Sequence, residues 1–286
     1  LMPASSATET TLVEDSIVPA GPLPLVINSD DFGYDHRVNR AIVMAFEECL
    51  CSSTTVMPNM PGFQEAVQFV HEHGLVDAVG IHVVLSEGTP LTDPIRRCAR
   101  LCNENGQLRW LPGVGYRNLT HAEQKAITVE IHAQIDRCRA HGLPLTHLDS
   151  HHHIHYSWGD LSRIFVEAAQ QKKIPFIRPR SFRLGVSWYR RGATLLYNAR
   201  LRRRQLLGTD YCMDMRTYLH VRDTLIGWPS GHALEIAIHP TLNQDSCLQD
   251  AIDCQPLSPW VSQVRQHRSA VSYAQIRPRA GVRARR

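Results

Sequence analysis

Ten consecutive residues in the middle of the chain, Thr146–His155 (THLDSHHHIH), contain five histidines and one aspartate. Their mid-chain position argues against a cloned purification tag. His147, Asp149 and His151 occupy alternate positions, and alternate side chains of an extended strand point to the same face. Because imidazole and carboxylate groups are common ligands of divalent metal ions, this stretch is a candidate metal site.

Other polar residues occur in or just after apolar, strand-like runs. These residues are Asp30 and Asp31 after LPLVINS, His82 within DAVGIHVVL, Arg178 and Arg180 within IPFIRPR, and His239 at the end of ALEIAIHP. In parallel β/α architectures the carboxyl ends of the strands share one rim, where ligands bind. The sequence therefore predicts that these groups converge with the histidine-rich stretch.

A catalytic divalent metal needs deprotonated oxygen or imidazole ligands and an open coordination position. Asp31, His82 and one histidine of the cluster meet that need. Taken alone, His82 is better interpreted as a hydrogen-bonded core histidine, but the acidic pair and the histidine-rich strand favour a ligand. For Asp30, the simpler interpretation is a carboxylate that stabilises a turn or caps a helix. For His152 and His155, a position on the surface or the substrate rim is the simpler interpretation.

Strand-like and helical runs alternate along most of the chain. The predicted strands are 23–29, 52–58, 77–85, 143–153, 174–180 and 233–240, and the predicted helices are 36–50, 62–74, 120–142 and 159–173. Thr120 followed by Glu123 is a capping-box pattern, whereas residues 86–115 show no clear period. Since the strands are apolar throughout, the alternation predicts an α/β fold with a parallel sheet covered by helices, open or closed as a barrel.

Composition and length favour one globular domain over residues 21–275, preceded by a disordered extension at 1–20 and followed by an arginine-rich tail at 276–286. The net charge is +4, and five arginines lie in the last ten residues, so the rest of the chain is close to neutral. This balance argues against nucleic-acid binding. The sequence has no apolar run long enough for a transmembrane segment. Eight cysteines without a CxxC pair favour reduced thiols and a cytoplasmic location.

The segment Ser187–Leu207 (SWYRRGATLLYNARLRRRQLL) differs from the rest because it is basic and partly apolar. It is predicted to be a helix. A solvated outer helix is the favoured interpretation, and peripheral membrane contact or a substrate lid are the alternatives.

The chain resembles the YdjC-like carbohydrate deacetylases, the family of chitooligosaccharide deacetylase and the hopanoid-associated HpnK proteins. The matching segments, in order, are INSDDFG, SSTTVMPN, VGIHVVLSEGTPLT, THLDSHHHIH, IPFIRPR and LEIAIHP, which together span roughly residues 24–240. The THLDSHHHIH match is highly specific. Ser29 replaces the alanine of the family's usual NADDFG, which is a small change.

The resemblance implies a distorted (β/α) barrel like that of polysaccharide deacetylases, and an enzyme that removes the N-acetyl group from an acetylated amino sugar and releases acetate. It implies one divalent ion, magnesium or zinc, held by Asp31, His82 and His151. A homodimer would also suit the family.

Catalytic roles also follow from the resemblance. Asp30 would be the base and His239 the general acid. Arg178 would steady the base or the substrate, with Arg180 as its rival. Asp149 would orient a histidine ligand, or equally would serve only as a strand-end hydrogen-bond acceptor. Two further residues, His153 and His155, are expected near the substrate or behind the metal ligands.

Three other functions remain open. Two histidines and a carboxylate also suit an iron(II) oxygenase, although those enzymes usually have a different fold. A metal-dependent phosphoesterase on a β/α barrel is the closer rival. The third is a non-catalytic sugar- or metal-binding protein, although a separate base and acid have no use in simple binding.

Overall fold

The computed structural model describes residues 24–111, 116–157, 159–180, 188–221, 233–265 and 270–276. The predicted extension at 1–20 and all of the predicted tail except Ile276 lie outside these residues. Among the described residues, each helix is too short or too polar to cross a lipid bilayer.

Seven parallel strands form one curled sheet, which confirms the predicted α/β class. The strands are β1 (Leu25–Phe32), β2 (Ser53–Val56), β3 (Val79–Val83), β4 (His147–Ser150), β5 (Phe176–Ile177), β6 (Tyr211–Asp214) and β7 (Leu234–Ile238), in the order β5-β4-β3-β2-β1-β7-β6. The segment before β6 reaches the β5 edge, where Ile177 N–H donates to the Leu206 carbonyl at 2.7 Å. The sheet is thus a distorted, incompletely closed barrel.

Helices alternate with the strands along the chain, as expected for a parallel sheet. They are α1 (His36–Glu47), α2 (Phe63–Glu72), α3 (Asp93–Arg96), α4 (His121–Ala140), α5 (Asp160–Gln171), α6 (Trp188–Arg203), α7 (Met215–Val221) and α8 (Leu257–Arg265). The capping box is present at the start of α4, where Thr120 and Glu123 each bond the other's backbone N–H. This reciprocal bonding fixes the first turn of the helix.

Several elements were not predicted. They are α3, β6, α7, α8 and an antiparallel hairpin made of β8 (Pro240–Leu242) and β9 (Leu248–Asp250), together with short 3₁₀ helices at Val76–Ala78, His151–Tyr156 and Tyr273–Gln275. The hairpin directly follows His239, so it forms a wall beside the carboxyl end of β7.

The outer face of α6 carries three of the large apolar side chains that are exposed to solvent, Trp188, Leu195 and Leu196. On its other side Ala193, Tyr197 and Leu201 are buried. The segment is therefore a helix that packs against the domain through one face, as the sequence predicts.

Alternate side chains of the strands meet inside the curled sheet. Near the amino ends of the strands this interior is packed with rings, where His147 stacks on Tyr273 with centroids 3.8 Å apart. Gly80 is required beside them, because a Cβ at this position would lie only 2.4 Å from the His147 ring. Toward the carboxyl ends the interior is instead filled with charged groups, and these form the candidate site.

Candidate active site

The two acidic residues at the end of β1 are separated by a bulge in the strand. Ser29 pairs with Thr54 and Phe32 with Val56, so β1 has one more residue than β2 over this interval. Asp31 occupies the left-handed region with φ of 72°. Bulges and such strained residues are frequent at functional sites, where they redirect side chains. Here the Asp30 carboxylate is buried in the barrel, whereas that of Asp31 reaches the rim.

Asp31 contacts two histidines that come from different parts of the chain. Its Oδ1 lies 3.2 Å from Nε2 of His82 and 2.9 Å from Nδ1 of His151. One ligand atom from each of the three residues falls within 4.8 Å of the others. The set predicted from the sequence resemblance is therefore brought together at one point.

The outer nitrogen of each histidine is bound to a second carboxylate. His82 donates through Nδ1 to Asp149 at 2.6 Å, and His151 donates through Nε2 to Glu87 at 2.6 Å. Histidines that ligate metals characteristically donate their other ring N–H to a carboxylate, which fixes the ring orientation and raises ligand basicity. The residues thus fit a divalent cation, held by Asp31 and the inner nitrogens of His82 and His151.

The carboxylates of this cluster raise the pKa of both histidine rings. Burial alone would lower the pKa of His82, but Asp149, Asp31 and Asp30 outweigh burial and raise it to about 10. Burial also opposes the charge on His151, yet Asp31 and Glu87 raise its pKa. A cation must displace protons from these rings, so its binding is expected to weaken as the pH falls.

The geometry of His151 corrects the predicted long strand. β4 ends at Ser150, and His151 begins a 3₁₀ helix in which His152 and His153 both have φ of 54°. The alternation that places His147 and Asp149 on one face therefore does not extend to His151. This turn directs His151 to Asp31 and His152 to Ser86 Oγ, at 2.9 Å.

Arg178 is completely buried in the middle of the barrel and contacts three carboxylates. Its Nη2 and Nη1 bind Asp30 in a bidentate pair at 2.6 and 2.7 Å. The same Nη1 also lies 2.6 Å from Asp149, and Nε lies 2.6 Å from Glu235. Burial raises the pKa of Asp30, but Arg178 outweighs it and holds that pKa well below its usual value. Asn28 also donates to Asp30 at 2.8 Å. Asp30 is therefore fixed in position and deprotonated.

His239 directly follows β7 and also lies near Asp30. Its Nε2 is 3.8 Å from Asp30 Oδ2, and its Nδ1 is 3.8 Å from Asp250 in β9. The same Asp250 accepts a hydrogen bond from the His239 backbone N–H at 2.8 Å. Burial would lower the pKa of His239, but Asp250, Asp30 and Asp31 raise it to about 9. These carboxylates therefore favour the protonated form of the ring.

Not all the predicted residues join this cluster. His153 lines a cleft next to His239, and Asp149 lies directly behind His82. His155, however, is fully buried and its Nδ1 bonds Ser150 Oγ at 2.8 Å. The guanidinium of Arg180 lies over the ring of Tyr156, 5.4 Å from its centroid. Of the two rival arginines, it is Arg178 that reaches Asp30.

A family model described as YdjC-like protein matches residues 24–274. The chain belongs to the YdjC-like family. Among curated relatives, a carbohydrate deacetylase of Brevibacillus brevis is 38% identical over 157 residues, which cover 55% of this chain and 60% of that protein. A carbohydrate deacetylase of Geobacillus stearothermophilus is 37% identical over 158 residues, again 55% of this chain and 60% of that protein.

A solved structure has the same fold as this YdjC-like chain. It is a protein of Enterococcus faecalis V583 for which cellobiose-phosphate cleavage has been suggested. The two superpose with a TM-score of 0.69 at 22% identity, covering 88% of this chain and 98% of the other. This similarity confirms the distorted barrel.

Sequence reasoning missed several polar residues of this YdjC-like site. Glu87 lies four residues past the end of β3, in the segment without a clear period. Glu235 is a single charge inside the apolar run LEIAI, which was a usable signal, because a buried carboxylate needs a partner. Asp250 lies in a loop-rich region where the sequence has no comparable signal.

Proposed function

We propose that this chain is a metal-dependent carbohydrate deacetylase that hydrolyses the acetamide of an acetylated amino sugar and releases acetate. The observation that carries the proposal is the position of Asp30 and His239 beside the group formed by Asp31, His82 and His151. Simple metal binding needs no such base and acid. The names of the Brevibacillus brevis and Geobacillus stearothermophilus relatives support a sugar as the substrate.

Asp31, His82 and His151 would hold the ion. When bound there, a divalent ion polarises the acetamide carbonyl and lowers the pKa of a bound water toward about 7. Two imidazoles and one carboxylate favour zinc over magnesium, because magnesium prefers oxygen ligands. Asp149 and Glu87 would keep both rings oriented.

Asp30 is proposed to accept the proton of the attacking water. Its bidentate pair with Arg178 keeps it ionised and fixes its orientation, although the same pair weakens its basicity. Arg178 is completely buried, so its role is to position Asp30 rather than to contact the sugar. General-base catalysis of this kind contributes about 10²–10⁴-fold to a rate.

His239 is proposed to protonate the departing nitrogen. An amine is a poor leaving group unless it gains a proton as the carbon–nitrogen bond breaks. The imidazolium of His239 is held by Asp250 and lies next to Asp30. The new carbon–oxygen bond comes from water, so the products are acetate and the free amine.

One assay tests this proposal against its rivals. Metal-loaded protein is incubated with N-acetylglucosamine oligomers and, separately, with an aryl phosphate, and acetate and phosphate are measured. We expect acetate alone. Phosphate alone would favour a phosphoesterase, and neither product would favour a sugar- or metal-binding protein.

The finer predictions about location and partners rest on sequence alone. Peripheral membrane contact through 187–207 agrees with the exposed Trp188, Leu195 and Leu196 of α6, but an outer helix carries such residues as well. The homodimer and the cytoplasmic location stay predictions.

A further inference from the structure

A cleft of about 510 Å³ opens beside His239. One wall of the cleft is formed by the carboxyl end of β6 together with α7. The opposite wall is formed by the turn after β9. The residues of its wall include Asp214, Met215, His220, Ala237, His239 and Ile252. Its volume falls within the ~300–1,000 Å³ typical of small-molecule sites.

The chemistry of the proposed function decides which part of the substrate faces this cleft. In an N-acetylated amino sugar, the nitrogen that leaves is bonded to the sugar ring. His239 must lie next to that nitrogen in order to protonate it. The ring is therefore on the His239 side of the site, where the cleft is, and the acetyl group is directed to the other side. This inference rests on the proposed function.

The cleft also has the chemical character that a sugar ring requires. A pyranose has apolar faces and a rim of hydroxyl groups. Ile252 is 62% exposed and supplies apolar surface at the opening, whereas Met215 and Ala237 line the wall but are almost completely buried. Polar groups converge on the same space, and the side chains of Asp214 and His220 are among them.

Asp214 is the best placed of these polar groups. It ends β6 and pairs in register with Ala237, two residues before His239, so both side chains lie at the same edge of the sheet. Its Oδ1 accepts a hydrogen bond from the Thr217 backbone N–H at 2.7 Å, which fixes the carboxylate. Across the cleft, Arg216 and Asp253 form an ion pair at 2.6 Å that ties α7 to the turn after β9.

We propose that this cleft is the binding site for the amino-sugar ring, with Asp214 accepting hydrogen bonds from its hydroxyl groups. A carboxylate is an acceptor for two such hydroxyls, and a site built to bond hydroxyls discriminates against rings that lack them. Asp214 therefore sets specificity for a hydroxylated ring.

The test compares Asp214→Asn with Asp245→Asn on two acetamides. Asparagine keeps the acceptor for Thr217 but loses the charge, and Asp245 is an exposed acid of the β8–β9 turn that is not part of the cleft wall. The substrates are N-acetylglucosamine oligomers and N-cyclohexylacetamide, whose ring has no hydroxyls. We expect Asp214→Asn to raise KM for the sugar about tenfold or more with little change in kcat. For N-cyclohexylacetamide, and in Asp245→Asn, kcat/KM should stay near the wild-type value.

The outcomes separate the two proposals. If the wild type releases acetate and Asp214→Asn has an unchanged KM for the sugar, the cleft is not the sugar site. If the wild type releases no acetate, the proposed function fails, and calorimetric binding of glucosamine then decides about the cleft. Binding that weakens in Asp214→Asn but not in Asp245→Asn supports the site, and equal binding in both variants, or none, overturns it.

Discussion

Asp30 and Asp31 are consecutive in the chain, yet their carboxylates serve different partners. Asp30 is 1% exposed and forms a bidentate pair with Arg178, whereas Asp31 is 18% exposed and lies between His82 and His151. The extra residue in β1 and the left-handed backbone of Asp31 produce this separation. One carboxylate can therefore hold a cation while its neighbour remains a base.

Replacing Asp30 should abolish turnover without removing the metal. In Asp30→Asn the amide cannot accept the proton of water, so we expect kcat to fall by about 10²–10⁴-fold. Bound metal, measured by mass spectrometry after dialysis, should stay at the wild-type level because Asp31, His82 and His151 are unchanged. An Asp30→Asn protein that turns over normally would exclude Asp30 as the base.

Glu87 should matter for metal affinity. Removing the charge behind His151 in Glu87→Gln should weaken metal binding by about 10–100-fold, the usual effect of losing such a partner. Glu65→Gln is a matched control, because Glu65 is similarly exposed and also bonds a histidine, His36 at 2.5 Å, that is not one of the three proposed ligands. Competition with a metallochromic indicator measures the metal affinity of each variant. Equal affinities in the two variants would show that Glu87 has no such role.

The strand-end rule explains why most of the predicted residues lie close together. Asp31, His82 and Arg178 lie at or near the carboxyl ends of β1, β3 and β5, and parallel strands bring those ends to one edge. That His151 is the third member of the group was predicted from the family resemblance and not from strand register. A 3₁₀ turn with positive φ gives no clear signal in a run of histidines.

Other features depend on tertiary contacts that local sequence does not encode. The bulge at Asp31 cannot be detected in the sequence, because it does not alter the visible spacing of apolar residues in β1. Glu87 becomes relevant only because the chain folds back toward His151, and Asp250 only because the β8–β9 hairpin returns to His239. Short strands such as β6 lack enough residues for a period to be detected.

Arg178 should be essential for stability. In Arg178→Met, the carboxylates of Asp30, Asp149 and Glu235 lose their shared cation, and breaking such a buried cluster costs about 3–5 kcal/mol of unfolding free energy. In the control Arg163→Met, an exposed pair with Glu167 is lost, which costs less than about 1 kcal/mol. Urea unfolding followed by circular dichroism measures the unfolding free energy of each variant. Equal midpoints for the two variants would contradict the structural role assigned to Arg178.

The activity should decline at alkaline pH as His239 loses its proton. A general acid must be protonated, so with the metal site kept saturated kcat/KM is expected to be level below the pKa of His239 and to fall as the pH rises through it. That pKa is about 9 without a cation, and a bound cation lowers it, so the midpoint should lie at or below about 9. His239→Gln should be slow, and its pH profile should lack this limb. An unchanged limb in His239→Gln would assign it to another group.

Metal content measures the central claim most directly. After equilibrium dialysis against zinc, the wild-type chain should retain one ion, and His151→Ala and Asp31→Asn should each lose it together with acetate release. Circular dichroism should confirm that both variants remain folded. If folded His151→Ala and Asp31→Asn retain the ion as tightly as the wild type, then Asp31, His82 and His151 are not its ligands.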